Sequence, residues 1–523
     1  MSGVRRATLA ALIAWAWPGV CRAQAAEAPA VPVAQPWSVQ ARFEPVHLPG
    51  GERMGLLTAS WLLAHDGWWL GPSVAAAATG QRGGLFVLGA QAGRRWAWGS
   101  AGEGPRAAEP GDRWWLDTSV FAGGGGGAGA PVGGGLMVVP SLAWMVDWGG
   151  WQTGLTWSRV SFPSGRVRSH QWGLALQWDG QWPVWGVGSL GREAGGTSGT
   201  SGANPGPLGW QRVQAEAGLL RPQGLGRLGL IGARAERDAS PTWAWTLATA
   251  AAAHGGADGY MEVLAGAHWH TRDDAGRSPS VGLRAALGLG GGGAVPTGGG
   301  GVGKLGAGGR WPLAAVWPGA YVDVEAGMVA GPGGRTGDEP HAGPYRARYV
   351  QAAMGWDWSA ARAEADPQVW RVRGWRASAT WQRQTAAVRK DGQTAPLDTV
   401  GLKLQPDDGA GCRPLVQAHS AYAGGAGAYS LGLVGLGCAT PARPWRLGVE
   451  ASVGAAGGGG VATHGGAVAQ AQLWLAGPAG GDSQWQVGLG RLRSVKASAA
   501  GEPALDSPVV DLSWSWRFGQ LGR

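Results

Sequence analysis

Long segments of this chain alternate apolar and weakly polar residues with a period of two. In the last of these segments the apolar positions are Val510, Leu512, Trp514, Trp516 and Phe518, with Asp, Ser, Ser and Arg between them. Side chains two residues apart lie on the same face of a β-strand, whereas a helix repeats every 3.6 residues. The alternation therefore predicts strands with one apolar face and one face of small or weakly polar side chains.

Glycine content excludes several other classes of protein. Glycine occupies 99 of the 523 positions and proline 33, while charged residues make up only 15%. Glycine destabilises the interior of a helix, which argues against a helix-rich enzyme. A hydrophobic fraction of 44% argues against a disordered chain. We therefore expect an all-β protein with many glycine turns.

Residues 1–25 have the features of a secretory signal peptide. Arg5 and Arg6 form a basic start, an apolar run follows at 7–17, and Ala23–Ala25 offers small residues for cleavage. The apolar run is too short to span a bilayer as a helix. We expect the mature protein to be exported.

Glycine-rich segments recur at a nearly constant spacing. Corresponding glycine clusters begin at Gly133, Gly298 and Gly465, which are 165 and 167 residues apart, and an alternating strand rich in tryptophan follows each of them. Such self-similarity indicates triplication of one unit. The units of about eight strands each are expected at 37–180, 209–358 and 370–519.

The repeats leave the closure of the sheet open. Three units of about eight strands are compatible with one antiparallel barrel of about 24 strands or with three small barrels, since eight strands already close around a filled interior. One large barrel would enclose a lumen, whereas three small ones would conduct little.

The mature chain keeps two cysteines, Cys412 and Cys438. They flank two strand-like runs joined near residue 425, so an antiparallel hairpin would place them opposite each other. Because an exported protein meets oxidising conditions, we expect a disulfide between them. The alternative is two free thiols on opposite faces of the sheet.

These features together resemble the outer-membrane β-barrel proteins of Gram-negative bacteria. The resemblance is carried by the signal peptide, the alternating strands, the tryptophan pairs Trp68–Trp69 and Trp114–Trp115 near strand starts, and the final strand with Phe518. It implies a transmembrane antiparallel β-barrel in the outer membrane, with lipid as its partner and tryptophans at the lipid–water boundary. A soluble β-sandwich with buried tryptophans is the alternative.

The resemblance implies a passive channel, or the membrane pore of an export system, that passes a solute or an exported polymer. A non-conducting structural or surface-interaction protein is the second hypothesis, and a lipid-modifying hydrolase the third. The net charge of +9 comes mainly from scattered arginines, so we expect no nucleic-acid partner.

Two motifs are weak candidates for ligand sites. Gly298–Lys304 has the spacing of a phosphate-binding loop, but Leu305 replaces the Ser or Thr that binds magnesium. His268 and His270 share a strand face beside Asp273 and Asp274, with no third His or Cys close in sequence. We expect no cofactor and no metal.

Two Ser–His neighbours are weak candidates for catalysis. Ser169–His170 and His419–Ser420 are adjacent in sequence. Neighbours on a strand point to opposite faces, so neither pair forms a catalytic dyad by itself. We expect no catalytic residue and no enzyme activity.

Overall fold

The regular structure of the described residues is almost entirely antiparallel strand. In the computed structural model, the described residues are 33–98, 105–107, 113–190, 210–271, 278–313, 319–333, 343–357, 371–407, 411–441, 445–480, 482–495 and 502–522. The expected signal peptide at 1–25 lies outside them. A short 3₁₀ turn at Val187–Ser189 interrupts the β-structure, and no helix within the described ranges has the length and apolarity to cross a membrane.

The strands form three closed barrels of eight. The first barrel contains β1 (Val33–His47), β2 (Arg53–His65), β3 (Trp68–Thr79), β4 (Phe86–Trp98), β6 (Trp114–Gly126), β7 (Leu136–Asp147), β8 (Trp151–Ser161) and β9 (Arg168–Val184), with the short β5 (Pro105–Ala107) added to β4. The second contains β10 (Arg212–Pro222), β11 (Leu228–Ser240), β12 (Trp243–His254), β13 (Met261–His270), β14 (Ser280–Gly291), β15 (Gly301–Pro312), β16 (Ala320–Gly331) and β17 (Tyr345–Asp357). The third contains β18 (Arg371–Val388), β19 (Thr394–Pro406), β20 (Gly411–Ala423), β21 (Ser430–Ala439), β22 (Arg446–Gly457), β23 (Ala467–Gly480), β24 (Ser483–Ser494) and β25 (Asp506–Gly522).

Each barrel closes on itself because its first strand pairs with its last. The closing pairs are β1 with β9, β10 with β17 and β18 with β25, all antiparallel. Strand β1 does not pair with β25, as the closure of one 24-stranded barrel would require. Of the two closures that the sequence leaves open, the pairing corresponds to three small barrels.

The two ends of each barrel differ in composition. The terminus end is where the chain enters and leaves each barrel. The glycine end holds the turns 48–52, 80–85, 127–135 and 162–167 of the first barrel and their counterparts in the others. An apolar cluster fills each barrel toward its glycine end; in the first barrel it includes Val46, Leu56, Val87, Phe121 and Val160. Corresponding clusters fill the second and third barrels.

The three barrels contact each other in a ring. The third strand of each barrel lies against the fifth and sixth strands of the next: β3 against β14 and β15, β12 against β22 and β23, and β20 against β6 and β7. Backbone hydrogen bonds connect the barrels at two of these three junctions. They run from Gly83 N to Gly298 O (2.7 Å) and from Gly427 N to Gly133 O (3.3 Å). At the remaining junction Lys390 Nζ lies 3.0 Å from Asp258 Oδ2. The arrangement has approximate threefold symmetry within one chain.

Close backbone approach explains why glycines cluster at these junctions. A Cβ atom on Gly83 would lie 2.5 Å from the carbonyl oxygen of Gly298, and one on Gly457 would lie 2.2 Å from the amide nitrogen of Gly259. Both distances are too short for any side chain. The glycine-rich segments are therefore packing surfaces between barrels.

Candidate functional site

The outer faces of the barrels are apolar. Large aliphatic side chains stand exposed at the middle of the strands: Leu287 is 75% exposed, Leu473 67% and Leu489 63%. The side chains that alternate with them point into the barrel. A soluble barrel would instead present polar side chains on its outer face.

Most exposed tryptophans lie near the terminus end of the strands. Examples are Trp68, Trp114, Trp144, Trp148, Trp151, Trp178, Trp243, Trp245, Trp311 and Trp445, whereas Trp172 lies farther from that end. Some pack in pairs: the rings of Trp114 and Trp144 stack with centroids 5.3 Å apart. The tryptophans therefore form a belt around one end of the outer surface.

Only one member of each tryptophan pair in the sequence belongs to this belt. Trp68 and Trp114 are exposed, but Trp115 is buried, and Trp69 lies under the guanidinium of Arg95, 3.5 Å from its ring centroid. Successive side chains of a strand face opposite sides of the sheet, so adjacent tryptophans cannot both point outward.

Ion pairs cross the interior of the second barrel. Arg310 Nη2 lies 3.0 Å from Glu236 Oε1, between strands that stand opposite each other in the ring of eight. Arg234 Nη1 lies 2.8 Å from Glu325 Oε2, and Arg284 binds the same carboxylate at 2.8 Å. These buried charges are paired, as burial requires. Together they fill the barrel.

The first barrel is crossed by a smaller polar network. Arg42 donates to Gln91 Oε1 (3.2 Å) and to Ser141, and Gln91 donates to Gln40 Oε1 (3.1 Å). These contacts join β1 to β4 and β7, each three positions away around the ring.

The third barrel is crossed in the same way. Lys403 Nζ lies 3.0 Å from Glu450 Oε1, and Gln382 donates to Gln470 Oε1 at 3.2 Å. With the apolar cluster toward the glycine end, every barrel is thus occupied by side chains along much of its length.

One buried carboxylate at the terminus end of the third barrel has four arginine neighbours. Asp407 Oδ2 lies 2.5 Å from Arg376 Nη2 and 2.6 Å from Arg517 Nε, and Asp407 Oδ1 lies 2.9 Å from Arg413 Nη1 and 3.7 Å from Arg446 Nη1. Burial alone would raise the pKa of this carboxyl, but the nearby guanidinium charges hold the pKa of Asp407 below its ordinary value.

This cluster has no signature in the sequence. Its five residues come from four strands and the end of a fifth, and no two of them are adjacent in the chain. Only the barrel pairing brings them together.

Cys412 and Cys438 lie directly opposite each other on β20 and β21. Their sulfur atoms are 1.97 Å apart, at bonding distance. The pair stands close to the terminus end of the third barrel and links neighbouring strands of one hairpin.

The residues of the other ligand-site motifs have structural partners. Lys304 lies inside the second barrel, with its Nζ atom 2.9 Å from Glu262 Oε1, so it belongs to a strand and not to a phosphate-binding loop. His268 and His270 face the same interior, with ring centroids 5.5 Å apart. Asp273 and Asp274 lie outside the described residues, and within those residues no group of three or more His, Cys, Asp or Glu is placed to hold a metal.

The Ser–His neighbours do not form hydrogen-bonded pairs with each other in the described contacts. Ser169 Oγ accepts a hydrogen bond from the backbone of His47 (2.9 Å), while His170 stacks on Trp157. His419 is buried beside Thr399, and the hydroxyl of Ser420 is hydrogen-bonded to that of Ser430.

No family model matches the chain, and no curated protein matches it either. Among solved structures it is similar to OccK3 (OpdO) of Pseudomonas aeruginosa, with a TM-score of 0.20 and 12% identity over 92% of this chain and 95% of that one. It is also similar to the outer-membrane channel DcaP of Acinetobacter baumannii (TM-score 0.20, 10% identity, 93% and 96% coverage). The iron transporter FrpB of Neisseria meningitidis gives a TM-score of 0.28 and 9% identity, with 93% and 81% coverage.

Proposed function

We propose that the three barrels span the outer membrane side by side, with their apolar faces in hydrocarbon. The exposed leucines at mid-strand support this placement, because water would not favour so large an apolar outer surface around a charged interior. Strand length agrees: twelve residues at about 3.3 Å each, tilted by about 45°, cover roughly 28 Å along the membrane normal. The tryptophan belt would then lie at one lipid–water boundary.

Within that membrane the protein acts as a non-conducting structural or surface-interaction protein. The observation that carries this conclusion is the contact between Arg310 and Glu236, which reaches across the whole second barrel. An eight-stranded barrel has an interior just wide enough for side chains. Its loops and turns, and not its lumen, are the parts available to other molecules.

Conductance in planar bilayers tests this function against a passive channel. The purified full-length protein should give no discrete current steps. Steady steps from folded protein would instead favour the channel, for solutes small enough to pass between the crossing side chains. An export pore for a polymer would need a far wider opening than these barrels offer.

The membrane placement has its own test. Lipids brominated on their acyl chains should quench the fluorescence of the outward tryptophans in reconstituted protein. Protein that stays dissolved without detergent and shows no quenching would contradict it.

We also propose that the chain is exported and that it arose by triplication of one unit. Residues 1–25 are removed as a signal peptide, and the repeats at 37–180, 209–358 and 370–519 descend from one eight-stranded unit. Oxidation after export joins Cys412 to Cys438. The mass of the mature protein from the membrane fraction tests the cleavage, and a mass that retains all 25 residues would contradict it.

A further inference from the structure

The arginine cluster around Asp407 has more donors than its carboxylate can accept. A carboxylate offers about four acceptor positions, whereas each guanidinium carries five N–H groups. Arg413 Nη2 and Arg446 Nε are buried and have no hydrogen-bond partner among the described residues. Leaving such groups unpaired is costly, so each of them calls for an acceptor.

Two further unpaired donors adjoin the same place. The indole Nε1 of Trp474 and the amide Nε2 of Gln486 are buried without an acceptor, and both side chains are more than nine-tenths buried. Together with Arg376, Arg413 and Arg446 they line one open cavity at the terminus end of the third barrel. All four unpaired groups are nitrogens that donate, which favours an anion over a cation.

The charge balance points the same way. Among the described residues, the carboxylates near the four arginines are Asp407 and Asp482, the latter beside Arg517. Glu450 also lines the cavity but is paired with Lys403. The cluster therefore keeps a net positive charge.

The other two barrels show the opposite balance at their terminus ends. In the first barrel a single arginine, Arg95, faces Asp179 at 3.0 Å and Asp117 at 3.9 Å. In the second, two arginines share four carboxylates: Arg212 contacts Glu236, Asp238 and Asp357, and Arg310 contacts Glu236 and Asp323. The excess of arginine is therefore specific to the third barrel.

We propose that this cavity binds a small oxyanion of the phosphate class. Guanidinium groups present planar, paired N–H donors that match the oxygens of phosphate. The indole of Trp474 on β23 and the amide of Gln486 on β24 supply neutral N–H donors beside Arg446 of β22. Asp407 holds the arginines in place and competes with the ligand for them.

Calorimetric titration of the full-length protein in detergent with inorganic phosphate tests the proposal. Arg446→Gln and Trp474→Phe each remove one unpaired donor and should weaken binding about tenfold or more, in line with one hydrogen bond to a charged group. Asp407→Asn removes the competing carboxylate and should tighten binding. Arg491→Gln, on the exposed outer face of the same barrel, is the matched control and should bind as the unmodified protein does.

Two results would overturn the proposal. One is the absence of phosphate binding to the unmodified protein at millimolar concentration. The other is equal loss of binding in the control and in the cavity variants. Trp474→Phe keeps the ring that packs in the barrel, so it remains informative where an arginine variant fails to fold.

A second titration distinguishes free phosphate from a lipid headgroup. Short-chain phosphatidic acid should bind no more tightly than inorganic phosphate, because the cavity lies inside the barrel and not on its lipid-facing surface. Binding of the lipid without binding of inorganic phosphate would contradict the assignment to a free anion.

Discussion

Arg310 and Glu236 meet across the full width of the second barrel, with Arg310 Nη2 3.0 Å from both carboxylate oxygens of Glu236. Glu236 is fully buried and also contacts Arg212, Arg234 and His268. Glu236 therefore contacts three guanidinium groups inside the second barrel.

Glu236→Gln should destabilise the protein strongly. Removing one member of a buried ion pair leaves its partners uncompensated and costs about 3–5 kcal/mol. Urea unfolding in detergent, followed by circular dichroism, measures the change. Adding Arg310→Met to this variant removes one of the uncompensated charges and should recover part of the loss. A cost near zero for the single variant would mean that the network does not hold the barrel together.

Leu489→Arg should impair insertion and stability. Leu489 is the seventh residue of the twelve-residue β24 and is 63% exposed on the outer face. An arginine facing lipid near the middle of the bilayer costs about 2–4 kcal/mol. Leu225→Arg is the control, because Leu225 lies in a turn outside the strands. Folding yield into lipid vesicles measures both, and equal yields would contradict the membrane placement.

The strands and their number, about eight per unit, could be predicted from the sequence because alternation and glycine turns are local signals. Closure was not local: whether β1 pairs with β9 or β25 depends on how far the sheet coils before its edges meet. The same local signals left the choice between one barrel and three open.

The interior sites lay beyond sequence reasoning for a related reason. Arg376 and Arg517 stand at opposite ends of the third repeat and meet at Asp407 only through the closing pair of β18 and β25. The pairing of the two cysteines could be predicted from the sequence because they belong to one hairpin, where the register of the strands follows from the turn.

Cys412 and Cys438 should resist labelling by maleimide in denatured, unreduced protein and react fully after reduction. Their separation of 26 residues corresponds to about 3.5 kcal/mol of stabilisation from loop closure. Replacing both by serine should lower the free energy of unfolding by no more than this. Labelling of the unreduced protein would show that the bond does not form.

Acid should weaken the contribution of Asp407. Its pKa is lowered in the folded protein, so its ion pairs stabilise the fold at pH values above the ordinary aspartate value of 3.8 and are lost as the pH falls through the lower folded pKa. Asp407→Asn should therefore be less stable than the unmodified protein at neutral pH. The difference in urea midpoint between the two should shrink on acidification below pH 3.8; a constant difference would contradict the assignment.

Gly83→Val should loosen the junction between the first and second barrels while leaving each barrel folded. The added side chain would collide with the backbone of Gly298 and Gly300, at 2.5 and 2.6 Å from its Cβ, and the hydrogen bond from Gly83 to Gly298 would be lost. Overpacking of this kind costs about 1–3 kcal/mol. Hydrogen exchange measured by mass spectrometry should rise at 80–85 and 291–300 and stay unchanged at 424–429, where the third barrel meets the first. Gly226→Val, at a glycine with open space around it, is the control. Unchanged exchange at 291–300 would mean that the glycine contacts do not hold the ring of barrels together.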